Sequence, residues 1–288
     1  MTIVFALCAA FSNALYVTTQ HIASTSGRSA KMSGVRLVVS LVRSPLWLLG
    51  WLAGLGGFVF QAAALDRGQL SIVQALLVTE LIFGLVLRTL WLRQIVRPAA
   101  WIAAAVTCVG LAAFVVIDEP RGGVSNPSAH AWIAAVAVLG GLAVALALAA
   151  RGGSSRRQAA LYGIAAAITW ALVATFIKAA SETLTESGVG ALFTHWPVYA
   201  LAGGGLAGVV LTQAALHVGP LSVSQPLLVI VDPSISVVLS VWLFQEHYTG
   251  GAVATAGTVV GFVVMCAGVV ALTRTAPATM NAADAPSP

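Results

Sequence analysis

Residues Gly219 to Glu246 read GPLSVSQPLLVIVDPSISVVLSVWLFQE. The stretch is long and apolar enough to cross a bilayer, for which about 20 residues suffice. Yet it carries Gln225, Asp232, Pro226 and Pro233. A carboxylate in the middle of a lipid-spanning helix costs about 2.5–3.5 kcal/mol on insertion scales, so Asp232 is expected to face a bundle interior or a water-filled cavity. Each proline removes a backbone donor and leaves a carbonyl free to face that cavity, so a helix break is expected at Pro226 and Pro233. The plainer alternative is a kinked helix whose protonated Asp232 bonds a neighbour. A weaker copy lies upstream. Gly68 to Gln94 reads GQLSIVQALLVTELIFGLVLRTLWLRQ, with its own embedded acid at Glu80.

The rest of the chain is equally apolar. Of its 288 residues, 59% are hydrophobic and 8% charged, too much apolar surface for a soluble fold of this length. Apolar runs recur at 3–21, 45–65, 70–92, 99–117, 131–150, 159–179, 198–216, 221–244 and 252–272. The expected fold is therefore all-α, a polytopic membrane helix bundle of about nine transmembrane helices. The N-terminal run lacks a basic leader and reads as an uncleaved first helix. The short basic stretch 29–43 reads as an interfacial helix or a truncated further span. The tail 274–288 is Ala/Pro-rich and is expected to be disordered and cytoplasmic. Cys8, Cys108 and Cys266 fall inside apolar runs without metal spacing and read as small packing residues.

The net charge of +5 is topological rather than a signal for nucleic acid. The loops after runs one, three, five, seven and nine hold Arg28, Lys31, Arg36, Arg43, Arg93, Arg97, Arg151, Arg156, Arg157 and Arg274. Their only acid is Asp284. The opposite loops hold Asp66, Asp118, Glu119, Glu182, Glu186 and Glu246 against Arg67, Arg121 and Lys178. This bias predicts a multi-pass protein of the cell (plasma) membrane, with the N-terminus outside and the C-terminus in the cytoplasm. Trp47, Trp91, Trp101, Trp132, Trp196 and Trp242 fall near run ends, as an aromatic belt requires.

QAAALDRGQLSIVQALLV from Gln61 matches TQAALHVGPLSVSQPLLV from Thr212, and the shared residues keep an offset of 151. AAFSNAL from Ala9 likewise lies over AAITWAL from Ala166, which pairs His21 with Lys178. The organisation expected is a first repeat over 1–118, a linker with one span over 119–157, and a second repeat over 158–273. A single linker span inverts the second repeat relative to the first, the arrangement of transporters with a midplane site between repeats.

Six residues stand out as candidate substrate or ion ligands. Glu80 and Asp232 lie at nearly matching depths of the two copies. Ser71 and Gln74 open the first copy, and Ser222 and Gln225 open the second. Gln225 is seven residues before Asp232, within about 20° on a helical projection. If a cation is carried, Glu80 and Asp232 are its expected ligands, because a hard divalent ion prefers oxygen. Interhelical hydrogen bonding accounts equally well for the Ser and Gln residues, and Asn13 and Thr169 rank lower. Lys178, at a run end, is expected to snorkel. The glycine pairs Gly50/Gly54, Gly204/Gly208 and Gly257/Gly261 read as close helix approaches. Of the two copies, the Pro-containing one is expected to be irregular and the Glu80 copy straighter. The sequence carries no nucleotide-binding Gly-rich loop and no Cys/His cluster, so neither an enzyme nor a cofactor is expected.

The chain resembles the drug/metabolite transporter superfamily, in its EamA-like and NIPA-like branches. The resemblance rests on Gly219-Pro220-Leu221-Ser222, Gln225-Pro226, Pro233, Phe244-Gln245-Glu246, and Gly257, Gly261 and Gly268 in the last run. It implies paired inverted EamA-like repeats and alternating access for a small solute, with magnesium associated with NIPA-like members. The second helix of each repeat looks reduced, to Ser29–Arg43 and Gly188–Thr194, and Ile95 stands where the second copy has Glu246. The expected function is secondary transport, without ATP, of a small solute or divalent cation. The alternative is a non-transporting membrane protein that binds lipid or a partner subunit. Expected partners are the bilayer and the small-molecule or cation substrate, with a homodimer left open.

Overall fold

The computed structural model describes residues 1–25, 45–91, 96–117, 123–124, 127–218, 221–248 and 250–275. The basic stretch 29–43 and residues 276–288 of the tail lie outside the described residues. The chain is helical, and no β-strand occurs among the described residues. The helices are α1 (Thr2–Thr25), α2 (Pro45–Arg67), α3 (Leu70–Leu77), α4 (Glu80–Leu90) and α5 (Pro98–Ile117), followed by α6 (Ala129–Ala149), which contains one π turn at Val136–Gly140. Then come α7 (Ser155–Leu192), α8 (Pro197–Val218), α9 (Leu221–Trp242) and α10 (Gly251–Thr275).

Among the described residues, eight helical stretches are long and apolar enough to cross a membrane, counting α3 and α4 together. The remaining expected span corresponds to a shorter apolar stretch, Pro226–Trp242. This is the composition and architecture of a multi-pass membrane helix bundle.

The two copies of the repeat reverse their expected characters. α9 runs unbroken through both Pro226 and Pro233. A proline removes only one ladder bond, and its fixed φ is itself helical, so the helix can continue through it. Ser234 Oγ donates to the Ile230 carbonyl at 2.6 Å, a local back-bond one turn along the same helix. The first copy is the broken one. Between α3 and α4, Val78 and Thr79 form a turn. The Thr79 N–H and hydroxyl both donate to the Leu76 carbonyl, at 3.0 and 2.7 Å. Leu81 then bonds Val78 at 3.2 Å, three residues back, before the α pattern resumes. A β-branched residue with its own donor thus competes with the helix ladder. Val78 and Thr79 are buried, the condition under which irregular backbone is tolerated at membrane depth.

The chain forms two compact units. The first comprises Met1–Arg67 and Leu76–Val96, with α1 packed against α2 and α4. The second comprises Gly68–Ala75 and Arg97–Pro288. Its centre is α7, which packs against α6, α8 and α9. From Ala165 to Lys178 every α7 residue except Trp170 is buried, as expected of a helix apolar all round. The Pro98–Ile117 span, which closes the first sequence repeat, clusters in the second unit and packs on α10.

The α5–α10 contact explains the late glycines. A Cβ on Gly110 would strike the Met265 backbone, one on Gly261 would come within 2.7 Å of the Phe114 nitrogen, and one on Gly268 would strike Thr107. Gly257 packs on Ile117, so this face is used within the chain. On α8, Gly204 and Gly208 seat Phe176 and Trp170 of α7. Cys108 is exposed rather than packed. Gly110→Ala is expected to destabilise the folded protein by about 1–3 kcal/mol through overpacking. Gly141→Ala on α6, with nothing within 4 Å, is expected to leave stability unchanged or slightly raised. Thermal unfolding of both variants in detergent checks the contrast.

Candidate functional site

Among the described residues, the buried polar groups relevant to a site gather around Glu80 in the first unit and around Asp232 and Glu246 in the second. In the first unit, Glu80 is the first residue of α4, directly after the Val78–Thr79 turn. Its side chain is hydrogen-bonded to Asn13 of α1. Asn13 has a defined seat, because a Cβ on Gly57 of α2 would collide with its Oδ1. The amide oxygen therefore lies over Gly57, and the amide nitrogen is left to donate to the carboxylate. Three helices thus fix one neutral donor on one embedded acid.

In the second unit, Asp232 is half-buried on α9 and accepts a hydrogen bond from Ser236 Oγ at 3.3 Å, one turn along. Ser236 is fully buried, and Val231 and Ile235 pack on an apolar cluster around Ala143, Ala165 and Ile168. Ser224, also on α9, is fully buried, and its hydroxyl has no hydrogen-bond partner. Gly163 of α7 lets the Ser224 backbone approach closely. The side chains of Ser222 and Gln225 lie outside the described residues. Thr169 returns its hydroxyl to the Ala165 carbonyl at 2.8 Å, a local helix bond.

The third place is the strongest polar constellation, and it redefines Ser71 and Lys178. Glu246 is 2% exposed although it follows α9 in a connecting segment. Its Oε1 accepts from the Leu70 N–H at 2.9 Å, and its Oε2 accepts from Ser71 Oγ at 3.0 Å. The carboxylate therefore caps the first turn of α3, where orphan N–H groups and the helix dipole favour negative charge. Lys178 Nζ lies 3.8 Å from Glu246 Oε1 and donates to the Gly68 carbonyl at 3.1 Å. The ammonium also sits 4.9 Å from the centre of the Phe244 ring. Lys178 is buried rather than snorkelling, because the Gly68 carbonyl, the Glu246 carboxylate and the Phe244 ring meet its ammonium inside the protein. Gln74, one turn after Ser71, is buried beside this cap.

An aromatic sleeve closes around the pair. Trp132 stacks on Phe176 at 5.9 Å and meets Trp196 and Phe244 edge-on at 4.9 and 6.0 Å. Trp132 is therefore a buried member of this sleeve rather than of a lipid belt, whereas Trp91, Trp101, Trp196 and Trp242 are exposed. Over the top, Val124 N–H donates to the Phe244 carbonyl at 2.7 Å. Gly123, at φ +114°, lies against the same carbonyl and the Glu246 side chain. Gln245 adopts φ +54°, a left-handed conformation that turns Glu246 inward.

Of the sequence candidates, Glu80 is the one placed in the first unit. Ser71, Gln74 and Asp232 fall in the second, and of these the structure joins Ser71 to Glu246. No group of three or more His, Cys, Asp or Glu comes together among the described residues. Sequence reasoning passed over Glu246 and Lys178 as partners. The usable signal was their charge: a basic and an acidic residue at the ends of two apolar runs on the same predicted side.

No protein-family model matches the chain, and no solved structure matches it. An uncharacterised protein of Corynebacterium glutamicum is 25% identical over 280 residues, covering 96% of this chain and 95% of that protein. The two are similar from end to end.

The Asn13 seat can be tested by a double-mutant cycle. Gly57→Ala is expected to cost about 1–3 kcal/mol of stability by displacing Asn13. Gly57→Ala with Asn13→Ala is expected to cost less than the sum of the single changes, since the collision is gone. Additive thermal-unfolding shifts would contradict the contact.

Proposed function

We propose that this chain is a secondary transporter of the drug/metabolite type, moving a small solute or divalent cation across the plasma membrane by alternating access without ATP. The observation that carries the reading is the interruption of the Leu70–Leu90 span at Val78–Thr79, with Glu80 opening its second half. Discontinuous helices with polar groups at the break build substrate and ion sites in secondary transporters. Embedded carboxylates in membrane helices face the bundle interior or a water-filled cavity and commonly mark ion and proton pathways.

The second acid, Asp232, belongs to the second copy of the repeat and has Ser236 as a local donor. In this reading Glu80 of the first unit and Asp232 of the second are each an ionisable ligand candidate, with Gln74, Gln225 and Ser222 as neutral candidates, while Ser71 is engaged by Glu246 in this structure. Oxygen ligands suit a hard cation such as magnesium, while the apolar helix walls suit an organic solute. The charge bias of the loops orients the protein with its N-terminus outside and its C-terminus in the cytoplasm. The repeat at an offset of 151 residues makes the two copies an inverted pair in this reading.

The test is flux into reconstituted vesicles across a panel of solutes and divalent ions, with and without a proton gradient. Glu80→Gln and Asp232→Asn are each expected to cut flux of the transported species by about tenfold or more, equivalent to about 1.4 kcal/mol or more. Undiminished flux in the double variant would overturn the assignment of the acids. No flux for any solute in the wild type would favour a non-transporting membrane protein that binds lipid or a partner subunit.

A further inference from the structure

The Glu246 cluster sits on a segment with an unusual place in the chain. Gly68–Ala75 belongs to the second compact unit, but the chain on either side of it, up to Arg67 and from Leu76, belongs to the first. The segment is also bounded by irregular backbone at both ends. Gly68 and Gln69 precede α3 without helical structure, and the Val78–Thr79 turn follows it. α3 is thus a short rigid piece between two places that can absorb a backbone change, the usual build of a moving element.

What holds this piece in register is directional. Leu70, Ile72, Val73 and Ala75 are buried, but apolar contacts within an apolar bundle set little register, since lipid is as apolar as leucine. The bonds that fix position are those from Leu70 N–H and Ser71 Oγ to Glu246, and from Lys178 Nζ to the Gly68 carbonyl. Burying such an ion pair is no better for stability than apolar residues of the same volume, and its best-attested use is to set register or to switch. The connecting segment that delivers Glu246 is itself strained, with Gln245 in the left-handed region.

We propose that Glu246, Lys178, Ser71 and the first turn of α3 form a releasable latch, closed in this structure, whose opening frees the Gly68–Ala75 segment and gates the outer end of the pathway. The gating role rests on the transport reading; the release itself does not. In the closed state the carboxylate holds two donors of α3, and the ammonium holds the carbonyl just before it. Opening parts Glu246 and Lys178 from α3 together, while the pair keeps its own contact and its cover under Phe244.

Hydrogen exchange of the full-length protein in lipid nanodiscs, followed by mass spectrometry, tests the latch without any substrate. In the wild type, amides of Leu70–Ala75 are expected to exchange together and at least about tenfold faster than the equally buried 165–177 stretch of α7. Glu246→Gln is expected to speed exchange of Leu70–Ala75 by a further factor of about ten, with α7, α8 and α10 unchanged. Ser71→Ala, which removes one donor only, is expected to give about threefold and carries the test if Glu246→Gln does not fold. Wild-type exchange of Leu70–Ala75 as slow as that of α7 would overturn the latch. So would acceleration spread evenly over the second unit, the mark of a fixed brace. A failed flux assay leaves these exchange results intact, and a failed exchange result leaves the flux test of Glu80 and Asp232 intact.

Discussion

The carboxylate of Glu246, set against the first turn of α3 and facing the Lys178 ammonium, is the contact on which the placement of the second unit's connections depends. It collects residues that are far apart in sequence: Gly68 and Ser71, Lys178 within the long helix α7, and Phe244 through Glu246 after α9. Trp132 and Trp196 close the same end. All of these come from the connections or span ends that the charge bias assigns to one side of the membrane. A buried carboxylate or ammonium without hydrogen-bond partners carries a large desolvation cost. The geometry avoids that cost by giving the carboxylate two neutral donors besides its cation, and the ammonium a carbonyl and an aromatic face.

The embedded acids Glu80 and Asp232 follow a different logic. Glu80 is hydrogen-bonded to the neutral amide of Asn13, and Asp232 accepts from the neutral hydroxyl of Ser236. A neutral amide or hydroxyl can serve a carboxyl group in either protonation state, donating to the ionised form and accepting from the protonated one. Such a partner keeps an acid in place while its charge changes, which a fixed cation would not allow.

The helical class and most span limits were legible because apolar run length is dictated by the bilayer and survives any packing. Local irregularity was not legible. Pro226 and Pro233 look like the strongest breakers in the chain, yet φ near −65° suits a helix and α9 absorbs the missing donors. Thr79 looks innocuous, yet its hydroxyl and N–H converge on one carbonyl and end α3. The site was half legible for the same reason. Glu80 announces itself by charge in an apolar run. Asn13 does not, because its role depends on Gly57 across a helix contact that no periodicity reveals. Glu246 and Lys178 were visible as charges, but their meeting depends on three connections folding to one end.

The central claim is that the interrupted span opens onto water in the course of a transport cycle. The most direct measurement places a single cysteine at position 80, in a background with Cys8, Cys108 and Cys266 replaced by alanine, and labels it with a membrane-impermeant thiol reagent applied from either face of sealed vesicles. The account predicts labelling at position 80 from both faces, slowed by the transported solute, and the same pattern at position 232. A cysteine at position 80 that stays unlabelled from both faces, in a protein that remains folded, would contradict it.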